Sequence, residues 1–153
     1  MVWTRRQVAD DQKAAVKAAV AACRLVIDGY PTDGADAHAP KQYVDDMLAK
    51  IQRWIDNPSN TNKEAVRSSL DTTRQLHAWQ GHQTGPHFWI LEAVDHASLA
   101  VWAGDRSSYI VPLDYATCAA RAVACVLHAM LVNGLPEKTT VDALTSAVRI
   151  AAS

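Results

Sequence analysis

From Leu113 to Val132 the chain reads LDYATCAARAVACVLHAMLV, twenty residues that are apolar almost all the way round. Asp114, Arg121 and His128 interrupt the run at heptad spacing. At about 100° per residue these three fall on one narrow strip with Thr117, so the segment predicts a buried central helix with a single polar seam. A helix apolar on most of its circumference needs neighbours on several sides. The predicted fold is therefore all-α, a compact bundle of five to six helices around the helix at 113–132.

Length and composition agree with that frame. A chain of 153 residues, 49% of them hydrophobic, is long enough to form one helical domain over residues 1–153. Such a domain buries roughly two thirds of its unfolded surface without a metal or a disulfide. Fifteen basic residues stand against sixteen acidic ones, with no block of either sign, and this disfavours tight binding to a nucleic-acid backbone. Three cysteines are too few for a secreted disulfide framework. Cys118 and Cys125, seven residues apart on one helix, stand about 10 Å apart along its axis, beyond bridging distance. A reduced cytoplasm is the expected setting. The N-terminus MVWTRRQVADDQK has no apolar core, and the one long apolar run carries Arg121 in its middle, so neither a signal sequence nor a membrane span is predicted.

Helix signals divide the chain clearly. Thr4 is a candidate cap for a first helix reaching Asp28, with Val16, Val20, Cys23 and Ile27 as its buried stripe. Tyr30-Pro31 ends it. Pro40 opens a second helix whose inner face is Val44, Met47, Leu48, Ile51 and Ile55 and which stops before Asn57-Pro58. Thr61 or Asn62 caps a more polar third helix ending near Gln80, with Val66, Leu70 and Leu76 or His77 on its thin apolar side. A fourth runs from His87 to Ala103, the fifth is the central one ending at Asn133-Gly134, and Thr139 or Thr140 caps a terminal helix. No segment alternates long enough for a strand, and no glycine-rich phosphate loop is present.

The fourth helix carries two apolar stripes. Ile90, Val94, Ala97 and Val101 form one; Phe88, Leu91, Leu99 and Trp102 form another about 120° away, with Asp95 inside it. Two stripes require two neighbours. Either both belong to this domain, or the aromatic-bearing stripe docks a partner. Arg121 poses a parallel choice: a structural ion pair with Glu92, Asp95 or Asp114, or part of an anion-recognising cleft floored by Asp114, Arg121 and His128. If the pair is structural, Arg121→Ala is expected to cost about 3 kcal/mol, because an acid is left uncompensated.

His77, His82 and His87 are interleaved with Trp79 and Trp89, but they are five residues apart across a glycine loop and no carboxylate stands within the segment. Zinc-binding helices place ligands three or four apart, so no metal site and no cofactor are predicted. Glu92 and His96 stand at i, i+4, a relation common on a solvated helix face. Cys118 and Cys125 lie on an apolar helix, and Ser98, Ser107 and Ser108 lack an elbow with an arranged histidine and acid, so no nucleophilic triad is evident.

The order Cys23, Tyr30-Pro31-Thr32-Asp33, Pro40 opening a helix that ends in Ile51-Gln52-Arg53-Trp54, then Asn62-Lys63-Glu64-Ala65-Val66-Arg67 resembles an all-helical family of immunity proteins from bacterial polymorphic-toxin systems. The alanine-rich stretches LEAVDHASLAV and YATCAARAVACVLHAM look like the second half of that family, so the resemblance covers roughly residues 20–132. Two features depart from it: the third helix is more polar, and the histidine-rich loop has no counterpart. The resemblance implies a non-enzymatic protein-binding module, its partner another protein such as a toxin, with no catalytic residues to transfer. Exposed tryptophans, with mixed charges at the rim, are then the expected anchors. The stripe Phe88, Leu91, Asp95, Leu99 and Trp102 is the candidate partner surface. The alternative from a different class is a small-molecule-binding or enzymatic bundle using the Asp114, Arg121 and His128 seam.

Overall fold

The computed structural model describes residues 2–8, 11–29, 41–69, 86–103 and 114–153, and these are helical with no strand among them. The helices are α1 (Val2–Gln7), α2 (Gln12–Arg24), α3 (Lys41–Asp56), α4 (60–69), α5 (Pro86–Trp102), α6 (Tyr115–Val132) and α7 (Glu137–Ala152). A 3-10 turn, Ile27–Gly29, follows α2. The all-α bundle expected from the periodicity is the observed architecture.

The expected first helix is two helices. Asp11 takes an extended conformation and its side chain accepts a hydrogen bond from the Ala14 amide at 3.0 Å, which starts α2 afresh. Thr4 is no cap; it lies within α1 and is buried, as is Val8 just beyond that helix. The third start is also shifted. Ser59, not Thr61 or Asn62, accepts from the Asn62 amide, while the Asn62 side chain donates to the Asn57 carbonyl and ties α4 to the end of α3. Thr139 and Thr140 do not open the last helix, which begins at Glu137 behind Pro136. The boundaries of α3 and α5 fall within a residue of expectation.

The core is one continuous cluster to which every helix contributes. Helices α2, α5 and α6 touch one another pairwise, with α7 added against α2 and α3 against α5. Their contact faces are largely alanine: Ala15, Ala18, Ala19 and Ala22 of α2, Ala93, Ala97 and Ala100 of α5, and Ala119, Ala122 and Ala129 of α6 are fully enclosed. Met47 and Ile51 of α3 and Ile90 and Leu91 of α5 are the largest fully enclosed side chains of that core.

Helix α6 is long and apolar enough to cross a membrane by length and composition alone, yet half of it is buried inside the bundle. Its hydropathy is accounted for by the contact with α1, α2, α5 and α7. Its end is a Schellman turn: Gly134, at φ +79, donates to the Leu131 carbonyl and Leu135 donates to Met130. The other ends are latched by side chains. Gln12 donates to the Ala100 and Val101 carbonyls, both at 3.0 Å, satisfying two of the last acceptors of α5.

Among the described residues a buried hydroxyl lacks a partner. Thr140 is fully enclosed and its Oγ1 has no hydrogen-bond partner, while its amide already bonds to Pro136. Valine has the same shape without the stranded hydroxyl, so Thr140→Val is expected to stabilise the fold by about 1 kcal/mol. Urea denaturation checks this; a lower midpoint at unchanged slope would show that the hydroxyl is bonded in solution.

Candidate functional site

The stripe proposed for a partner is part of the core. Leu91, Asp95, Leu99 and Trp102 are all buried, and Phe88 is half-buried at the start of α5. The cover comes from this chain. Trp102 donates from Nε1 to the Lys63 carbonyl of α4 at 3.1 Å, and its ring is capped by Lys63 Nζ at 4.8 Å and by the Arg67 guanidinium at 5.5 Å. At its Trp102 end the stripe is thus covered by α4, and the helix as a whole packs against α6, α2 and α3.

The polar seam of α6 faces outward. Asp114, Arg121 and His128 are all exposed, not enclosed as a buried seam would be. Asp114 is the cap of α6: one carboxylate oxygen accepts from the Thr117 amide at 2.7 Å and the other from its hydroxyl at 2.8 Å. Arg121, expected to be buried and ion-paired, makes no salt bridge to Glu92, Asp95 or Asp114. The cost of about 3 kcal/mol expected for its removal belongs to buried pairs and does not apply to an exposed guanidinium.

What the seam does form is an aromatic platform. The imidazole of His128 stacks on Trp89 of α5, ring centres 4.8 Å apart and planes 24° from parallel. Phe88 meets the same indole edge-on at 5.3 Å. Trp89 and Phe88 are half-buried and His128 is exposed, so these rings form a surface feature joining α5 to α6. One turn along α5, Glu92 and His96 approach at 3.9 Å. Sequence reasoning had His128 and Trp89 in different groups. Their meeting depends on the antiparallel register of α5 and α6, which no local pattern encodes.

The described nucleophiles are suppressed. Cys23 and Cys125 are both pushed up to about 12 and Cys118 to about 11, in each case chiefly by burial. Neighbouring charge adds to this: the other thiol for Cys23, Asp114 for Cys118 and Glu92 for Cys125. Among the described residues no three potential metal ligands gather. His77, His82 and the side chain of His87 lie outside the described residues, as do Trp79, Ser107 and Ser108.

A second surface feature lies between α2 and α3. Arg24, Ile27, Asp45, Leu48, Ala49, Gln52 and Arg53 line an open groove of about 510 Å³. Arg24 donates to the Gln52 side-chain oxygen at 2.9 Å, and Gln52 in turn donates to Asp56.

No protein-family model, no curated protein and no solved structure matches this chain.

Two outcomes follow from these burials. Trp102→Ala is expected to cost about 3–5 kcal/mol of stability, the usual range for a buried aromatic ring; unchanged urea unfolding would return the stripe to the surface. The thiols predict a pH dependence. Their folded pKa values lie above the ordinary value of 9.0, so their contribution is fully present below pH 9 and is lost as pH rises towards 11 to 12. Melting temperature is expected to fall over that window, and less so in Cys23→Ala. An equal fall in both proteins would assign it to other groups.

Proposed function

We propose that the protein is a non-enzymatic protein-binding domain that acts by surface complementarity, in the manner of an immunity protein neutralising a bacterial toxin. The observation that carries this reading is the ring cluster Trp89, His128 and Phe88 at the surface, with Arg121 two helical turns from His128. Tryptophan and arginine contribute disproportionately to interfaces, and a stacked indole is already held rigid before a partner arrives. The cysteines, by contrast, are enclosed and protonated, and the Asp114 carboxylate is occupied in capping α6. Polar side chains that spread over a surface suit recognition better than turnover, which requires them to converge on one reacting atom.

Co-expression with the products of neighbouring genes is the direct test. A complex is expected to form, and the Trp89→Ala, His128→Ala double variant is expected to bind at least about tenfold more weakly with its melting temperature little changed. Turnover of a small molecule that is abolished by Arg121→Ala or His128→Ala would refute the binding reading. A complex indifferent to the double variant would move the interface elsewhere.

A further inference from the structure

The groove between α2 and α3 combines an apolar floor with an unusual distribution of charge. Ile27 and Leu48 are buried at its base, and Ala49 completes the floor. Arg24 and Arg53 stand exposed along it. The carboxylates of α3 are already engaged: Asp45 is held by Lys41 at 2.7 Å, Asp46 by Lys50 at 2.7 Å, and Asp56 accepts from Gln52. Neither guanidinium has a carboxylate within salt-bridge distance among the described residues. Among the described residues Arg24 donates to the neutral Gln52 side chain. An incoming ligand therefore meets, along the lining of an apolar trough, two guanidinium groups and a single carboxylate, Asp45, which is already paired with Lys41.

We propose that this groove docks an acidic, leucine-bearing peptide segment of a partner protein. Guanidinium groups pair with carboxylates through parallel hydrogen bonds, and the floor takes the intervening apolar side chains. The charge balance favours carboxylate over a basic ligand, and the apolar base favours a peptide over a nucleic-acid backbone, whose phosphates would leave that base uncovered. The proposal rests on the protein-binding reading and adds a second contact, on a different pair of helices from the Trp89 and His128 surface.

The test uses the full chain with amide nitrogens isotopically labelled and a capped decapeptide of alternating leucine and glutamate. Amide signals of Arg24, Ala49, Gln52 and Arg53 are expected to move on titration. The Arg24→Gln, Arg53→Gln double variant is expected to bind the peptide about tenfold more weakly, in line with the loss of two partly exposed ion pairs of up to ~1 kcal/mol each, with circular dichroism unchanged. Reversing both charges, in Arg24→Glu with Arg53→Glu, is expected to shift preference to the lysine counterpart of the peptide. The proposal is overturned if the lysine peptide moves the same signals of the native protein equally, or if the double variant binds unchanged. Tighter binding of a single-stranded oligonucleotide than of the acidic peptide overturns it as well. Movement confined to Trp89 and His128 signals would remove the groove while leaving the protein-binding reading intact, and loss of that reading is scored separately in the co-expression experiment.

Discussion

The close mutual approach of α2, α5 and α6 is the constraint on which the rest of the structure depends. Three helices can touch pairwise along their length only if the facing side chains are small, and alanine meets this condition with no side-chain entropy to lose. The enclosed alanines of α2, α5 and α6 line those faces. Methyl-sized faces leave little room for a deep cavity between these helices. The stacked Trp89 and His128 rings and the Arg24 and Arg53 side chains lie instead at the surface of the bundle.

The same packing explains which parts of the fold were legible in the sequence. Helices α3 and α5 have boundaries set by proline and by large apolar residues at clear spacing, and both appeared nearly where expected. The start of α2 was missed because its cap, Asp11, lies inside a stretch whose apolar period continues on either side. At Ser59 a hydroxyl competes with Thr61 and Asn62 for the same role, and only the path of the chain out of α3 decides between them.

The orientation of α6 was harder to read, for a reason of general use. A narrow polar strip on an apolar helix predicts a buried seam when the remainder of the circumference is hydrophobic. Much of that remainder is alanine, which is equally at ease against a close neighbour or near the surface. The strip carrying Thr117, Arg121 and His128 is simply the face that meets water. On α5 the inverse holds: the stripe carrying Asp95 admits either a core or a partner surface, and Asp95 and Trp102 are both buried. Charge in a stripe therefore decides exposure poorly; the sizes of the side chains around it, and whether another helix has a face left to cover them, decide it better.

Burial and charge pairing together separate the groups available to a partner from those that are not. The thiols are enclosed and held protonated, so their chemistry is withdrawn from solution. Most acidic groups along α3 are matched by a cation or an amide one turn away, pairings that each add only a few tenths of a kcal/mol to an exposed helix. Their larger consequence is electrostatic. Lys41 and Lys50 pair with Asp45 and Asp46, Gln52 gives Asp56 a hydrogen bond without cancelling its charge, and Arg24 and Arg53 have no carboxylate within salt-bridge distance among the described residues. Among the residues lining that groove two guanidinium groups stand against one carboxylate, Asp45, although the chain as a whole carries a formal net charge of −1, so the local charge is set by placement and not by the overall count.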